Sequence, residues 1–81
     1  MGVYLLKDGM ACLSVIDADD DESFENLKAA HATYPSYLES SRRGGHLWFF
    51  FENPVEGKQA KNFGLEIAKR HSINAEVFPK Q

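Results

Sequence analysis

The chain has 81 residues, a formal net charge of -3 and 43% hydrophobic residues, including six Phe, three Tyr and one Trp. That is one small domain with ample apolar side chains for a core, which argues against wholesale disorder, and its single cysteine, Cys12, excludes an internal disulfide or a cysteine-based zinc site. No apolar run approaches the ~20 residues of a membrane span and no stretch has the layout of a signal peptide, so no membrane partner and a cytoplasmic location are expected.

In chain order, Val3 to Leu6 is a short apolar run followed by Lys7-Asp8-Gly9, where Asp-Gly signals a hairpin turn. Met10 to Ile16 then predicts a second strand antiparallel to the first, with Cys12 as a small buried hydrophobe. Asp20, Asp21 or Ser23 can cap a helix running to about Thr33, with Phe24, Leu27 and His31 on one face and Pro35 ending it. Tyr37 to Ser41 and Gly45 to Phe51 predict two strands joined through Arg42-Arg43-Gly44. Asn53-Pro54-Val55-Glu56 has the form of a helix start, and Ala60, Phe63, Gly64, Ile67, Ala68 and His71 follow at helical spacing. Ala75 to Phe78 is a last strand stopped by Pro79.

Without the first strand the order is βαββαβ. The expected fold is therefore α+β: a ferredoxin-like (RRM-like) sandwich, an antiparallel sheet with both helices on one face and an extra N-terminal hairpin strand. In that plan Met10–Ile16 and Gly45–Phe51 are the central neighbours. Trp48 and Phe50 share a parity with His46, while Leu47, Phe49 and Phe51 point the other way. One set packs under the helices and the other lies on the open sheet face.

Two motifs carry chemistry. Six of the twelve acidic residues lie between Asp17 and Glu25, and Asp17 and Asp19, two residues apart, leave the same face of a strand. Such a pair offers hard oxygen ligands to Mg2+ or Mn2+. The plainer reading is a solvated strand-to-helix loop whose negative charge suits the following helix N-terminus. The second motif, Ser40-Ser41-Arg42-Arg43-Gly44-Gly45-His46, offers hydroxyls, guanidinium groups and backbone N–H groups to a triphosphate. It is also the composition of an ordinary soluble hairpin turn. Ferredoxin-like domains serve equally as RNA binders, allosteric modules and dimerisation units, so the fold by itself names no function.

These residues resemble the archaeo-eukaryotic primase superfamily, most closely the primase-polymerase domains of mobile-element and conflict systems. Asp17-Ala18-Asp19 matches its Asp-x-Asp motif. Ser40 to His46 followed by Leu47-Trp48-Phe49-Phe50 matches its Ser- and Gly-rich turn ending in histidine before an apolar strand. Tyr37-Leu38-Glu39, Glu52-Asn53-Pro54 and Glu76 to Gln81 also look like that subgroup. The resemblance implies template-dependent nucleotidyl transfer, with Asp17 and Asp19 as ligands of Mg2+ or Mn2+. It implies that Ser41, Arg42, Arg43, Gly44, Gly45 and His46 contact the nucleotide, His46 catalytically with the two aspartates. Nucleoside triphosphates and a DNA or RNA template are then the implied partners.

The family takes a third metal carboxylate from a downstream strand absent before Gln81. Residues 1–81 are accordingly expected to be a portion of a larger catalytic domain, inactive by themselves. The alternative is a non-catalytic RRM-like module that binds single strands through Trp48, Phe50, Arg42 and Arg43, or a protein-interaction domain. A homodimer through the open sheet face or an edge strand belongs to that last expectation.

Overall fold

A computed structural model describes residues 9–79. The extra N-terminal strand at Val3 to Leu6 lies outside the described residues. Gly9 has a positive φ of 76°, the conformation glycine adopts most cheaply in a turn. The elements that follow are β1 (Met10–Ala18), α1 (Asp21–Thr33), β2 (Tyr37–Ser40), β3 (Gly45–Glu56), α2 (Gly57–Arg70) and β4 (Ala75–Phe78).

Helix α1 begins as its sequence predicts. Asp20 is extended, and its carboxylate accepts the Ser23 backbone N–H at 2.7 Å. Asp21 and Glu22 add negative charge to the first turn, where the helix dipole favours it. The buried stripe is Ser23, Leu27 and Ala30. His31, expected on that face, is exposed, with Nδ1 2.9 Å from the Ser36 hydroxyl. The helix stops at Tyr34, just before Pro35, whose ring disfavours helical backbone in the residue preceding it.

The predicted start of the second helix is wrong. Asn53, Pro54, Val55 and Glu56 are strand, and α2 begins at Gly57. The cause is long-range pairing: Met10 and Ala11 stand opposite Glu56 and Val55, while Leu13 stands opposite Phe50. That register shift leaves Phe51 to Pro54 bulged out opposite Cys12. A proline there costs no ladder hydrogen bond, because the bulge has already broken the ladder. The Gly57 N–H reaches the Gly9 carbonyl at 2.8 Å and holds the extension in place. Cys12 beside the bulge is exposed rather than buried.

The sheet is four-stranded in the order β2-β3-β1-β4, with every adjacent pair antiparallel. This is the ferredoxin-like arrangement, with β1 and β3 central. Both helices share one core. Leu27 and Ala30 of α1 and Ile67 and Ala68 of α2 close over Ile16, Ala18, Leu47, Phe49 and Val77. Gly64 lets α2 approach the sheet, since a Cβ there would stand 2.6 Å from Val77 Cγ1 and 2.7 Å from Ser14 Oγ. Phe63 sets its ring edge-on to Phe49 and Phe51 at 5.0 and 5.5 Å. Leu47, Phe49 and Phe51 therefore point toward the helices, and His46, Trp48 and Phe50 lie on the face without them. Among the described residues no helix is long and apolar enough to cross a membrane.

Candidate functional site

Antiparallel register and strand parity decide which side chains meet on the helix-free face. Glu39 pairs with His46, His46 with Asp17, and Asp17 with Glu76. One row of polar residues thus crosses all four strands, β2 to β4. The next row along, two residues further in each strand, is Tyr37, Trp48, Val15 and Phe78. The polar row sits at the end of the sheet that carries the β2–β3 hairpin and the β1–α1 loop.

At the centre of the polar row, His46 Nε2 is 3.3 Å from Asp17 Oδ1, and both side chains are about three-quarters buried, each 25% exposed. On the ring's other side, Nδ1 is 3.4 Å from Glu39 Oε1. Trp48 follows in β3, its indole N–H donating to the same Glu39 oxygen at 3.1 Å. The Trp48 and Phe50 rings are nearly parallel, 6.2 Å between centroids and 6° between planes. Phe50 at 64% and Tyr37 at 60% are the most exposed large apolar residues on this face.

Asp17 holds its proton more tightly than an ordinary aspartate. Burial is the main cause; His46 opposes it, and the charges of Asp19 and Glu76 add to it. A carboxyl whose pKa is raised by folding penalises the folded state above that pKa, and the penalty disappears below the unfolded value. Asp17→Asn is therefore expected to raise the thermal midpoint at neutral pH, with the gain shrinking as pH falls through the carboxylate range. Thermal melts from pH 7 to pH 3 check this, and a lower midpoint at neutral pH would contradict it.

Asp17 is the penultimate residue of β1, whereas Asp19 lies just past the strand end and is exposed. Asp19, Asp20 and Asp21 line an open cleft of about 300 Å³ with Arg42 and Arg43. Asp20 is already engaged as the α1 cap. Ser41, Arg42 and Arg43 are exposed in the hairpin loop, closed by Ser41 N–H to Gly44 O at 2.8 Å. Gly44 and Gly45 are buried, and their glycine identity has a packing cause. A Cβ on Gly44 would strike the Ala18 carbonyl oxygen; one on Gly45 would strike that of Glu39.

Two members of the row, Glu39 and Glu76, carried no role in the sequence reading. Counting register outward from the hairpin finds Glu39, because pairing Ser40 with Gly45 puts Glu39 opposite His46. Glu76 is marked by its place between Ala75 and the buried Val77. The row is too long to be one metal site: three strand spacings separate its ends by roughly 14 Å. Among the described residues no group of three or more His, Cys, Asp or Glu could hold a metal ion. Asp17 and Asp19 supply two hard oxygen donors; burial is the main reason the Asp17 pKa is raised, and the smaller repulsion from Asp19 is of the kind a cation relieves. That donor set fits a magnesium-class ion, which binds through one or two carboxylates and keeps its waters.

A family model described as the TOTE conflict system, Archaeo-Eukaryotic Primase domain, matches residues 1–81. No curated protein and no solved structure matches the chain.

Proposed function

This chain belongs to the archaeo-eukaryotic primase domain family of TOTE conflict systems, and from that premise we propose that its helix-free sheet face is the metal- and nucleotide-binding part of a primase-polymerase site. The observation that carries this is the Asp17–His46 pair, 3.3 Å apart across the two central strands, with Asp19 at the strand exit. Asp17 and Asp19 would hold Mg2+ or Mn2+; when bound, the ion neutralises phosphate charge and orients the reacting groups. His46 and the exposed Ser41, Arg42 and Arg43 would grip the triphosphate, with the Gly44-Gly45 backbone bringing the loop in close. The nucleophile belongs to the growing strand, so the protein's work is binding and orientation.

The test is an NMR titration of the labelled chain with a nucleoside triphosphate, with and without Mn2+. Paramagnetic broadening is expected to centre on Asp17 and Asp19, with nucleotide shifts at Gly44 to His46. Asp17→Asn should abolish the focus while leaving the fold intact. Broadening spread evenly over Asp17 to Glu25, unchanged in that variant, would defeat the proposal. With two carboxylates as its ligands, the 81-residue chain is expected to hold the ion weakly and not to extend a primer. Robust primer synthesis by the purified chain would overturn that expectation.

A second reading draws on the parallel Trp48 and Phe50 rings and the exposed Tyr37. It is a single-strand-binding face that stacks bases without metal. That face would ignore magnesium, tolerate Asp17→Ala, and weaken with salt and with Trp48→Ala. Binding that depends on magnesium and on Asp17 decides for the first reading.

A further inference from the structure

Glu39 sits on an edge strand with a half-exposed side chain, yet one of its carboxylate oxygens faces two rings at once. Oε1 accepts the Trp48 indole N–H at 3.1 Å and lies 3.4 Å from His46 Nδ1. That nitrogen is buried and makes no hydrogen bond within ordinary geometry, so Glu39 is the group that faces it. The other ring nitrogen faces Asp17. The His46 and Trp48 rings are themselves neighbours, 6.3 Å apart and tilted by 48°.

An imidazole turns about a broad two-fold torsion, and its setting depends on what meets its two nitrogens. Asp17 defines one side of the ring. With Glu39 removed, the Nδ1 side of the ring loses the carboxylate that faces it, and the indole loses the Glu39 acceptor in the same step.

We propose that Glu39 is a positioning residue, which fixes the His46 imidazole and the Trp48 indole relative to each other so that the phosphate-facing ring and its aromatic neighbour act as one unit. This rests on the nucleotide reading above for its consequence, though not for its geometry. Being half exposed, the Glu39 contacts add little to global stability, so the role is separable from folding.

The experiment compares wild type, Glu39→Ala and Glu39→Gln as full chains by NMR and by titration with magnesium ATP. In Glu39→Ala the Trp48 indole N–H signal should move upfield and exchange faster. Ring-to-ring contacts between His46 and Trp48 should weaken, and ATP affinity should fall about three- to tenfold, the range of one lost hydrogen bond. Glu39→Gln retains an oxygen acceptor for the indole and should restore the signal, with affinity within about twofold of wild type. The inference is overturned if Glu39→Ala keeps the indole signal and ring contacts of wild type. It is also overturned if Glu39→Gln behaves like Glu39→Ala, which would reduce the role to charge. Should wild type itself fail to bind magnesium ATP, the nucleotide reading falls; the indole signal and ring contacts still decide whether Glu39 positions the pair.

Discussion

Gly45→Ala is expected to destabilise the domain by about 3 kcal/mol or more, at the upper end of overpacking costs. The added Cβ would collide with the Glu39 carbonyl oxygen and stand 2.7 Å from Phe24 Cδ1. A phenyl ring can swing aside; a backbone carbonyl at the mouth of the β2–β3 hairpin cannot, because Ser40 and Glu39 are held in register with Gly45 and His46. A domain of this size has a total stability of about 4–12 kcal/mol, so the loss is a large share of it. The consequence reaches the site, since the same hairpin delivers His46 to within 3.3 Å of Asp17. Urea denaturation of the purified chain measures the effect. A midpoint equal to wild type would show that the hairpin accommodates a side chain, and the packing account of Gly45 would be wrong.

Leu47→Ala should cost about 2–5 kcal/mol, the range for a leucine deleted from a closed core. Leu47 is fully buried, stands between Leu38 and Ile16 in the register, and belongs to the core beneath the helices. Phe50→Ala, three positions further along the same strand and 64% exposed, should change stability by no more than about 0.5 kcal/mol. The pair therefore tests the assignment of faces as well as a single contact. If Phe50→Ala cost as much as Leu47→Ala, the helix-free face would be buried, and a site on that face would have no access to solvent. The affinity of a Leu47→Ala variant for magnesium ATP, measured under conditions where it is folded, should stay near wild type. His46 and Trp48 point away from the cavity, and the deletion removes no group from the polar row.

Local signals in the chain were sufficient for much of this. The run Asp20, Asp21 and Ser23 signalled a capped helix, with the cap then assigned to Asp20 by the fold; Pro35 marked its end, and strand parity from Leu47 to Phe51 divided that apolar run between a packed and an open side. The order of elements determined an α+β sheet with β1 and β3 adjacent, which placed the two motifs side by side; the register then set Asp17 opposite His46. The Asp17-Ala18-Asp19 and Ser40 to His46 motifs determined the family, which the match over residues 1–81 bears out.

Tertiary pairing decided the rest. Asn53-Pro54-Val55-Glu56 has every local mark of a helix start, but partnering by Met10 and Ala11 draws it into β3, since capping supplies about 1 kcal/mol and competes with the pairing of Val55 and Glu56 to Ala11 and Met10 and the Gly57 N–H bond to the Gly9 carbonyl. Cys12 is exposed because that extension requires a bulge beside it. Gly44 and Gly45 owe their identity to carbonyls from β1 and β2 that no local window contains. Glu39 and Glu76 join Asp17 and His46 only through cross-strand register, a quantity set by long-range hydrogen bonding rather than by sequence neighbours. The chain alone determined which residues carry charge, aromatic surface and carboxylate oxygens; the folded sheet decided which of them stand in one row.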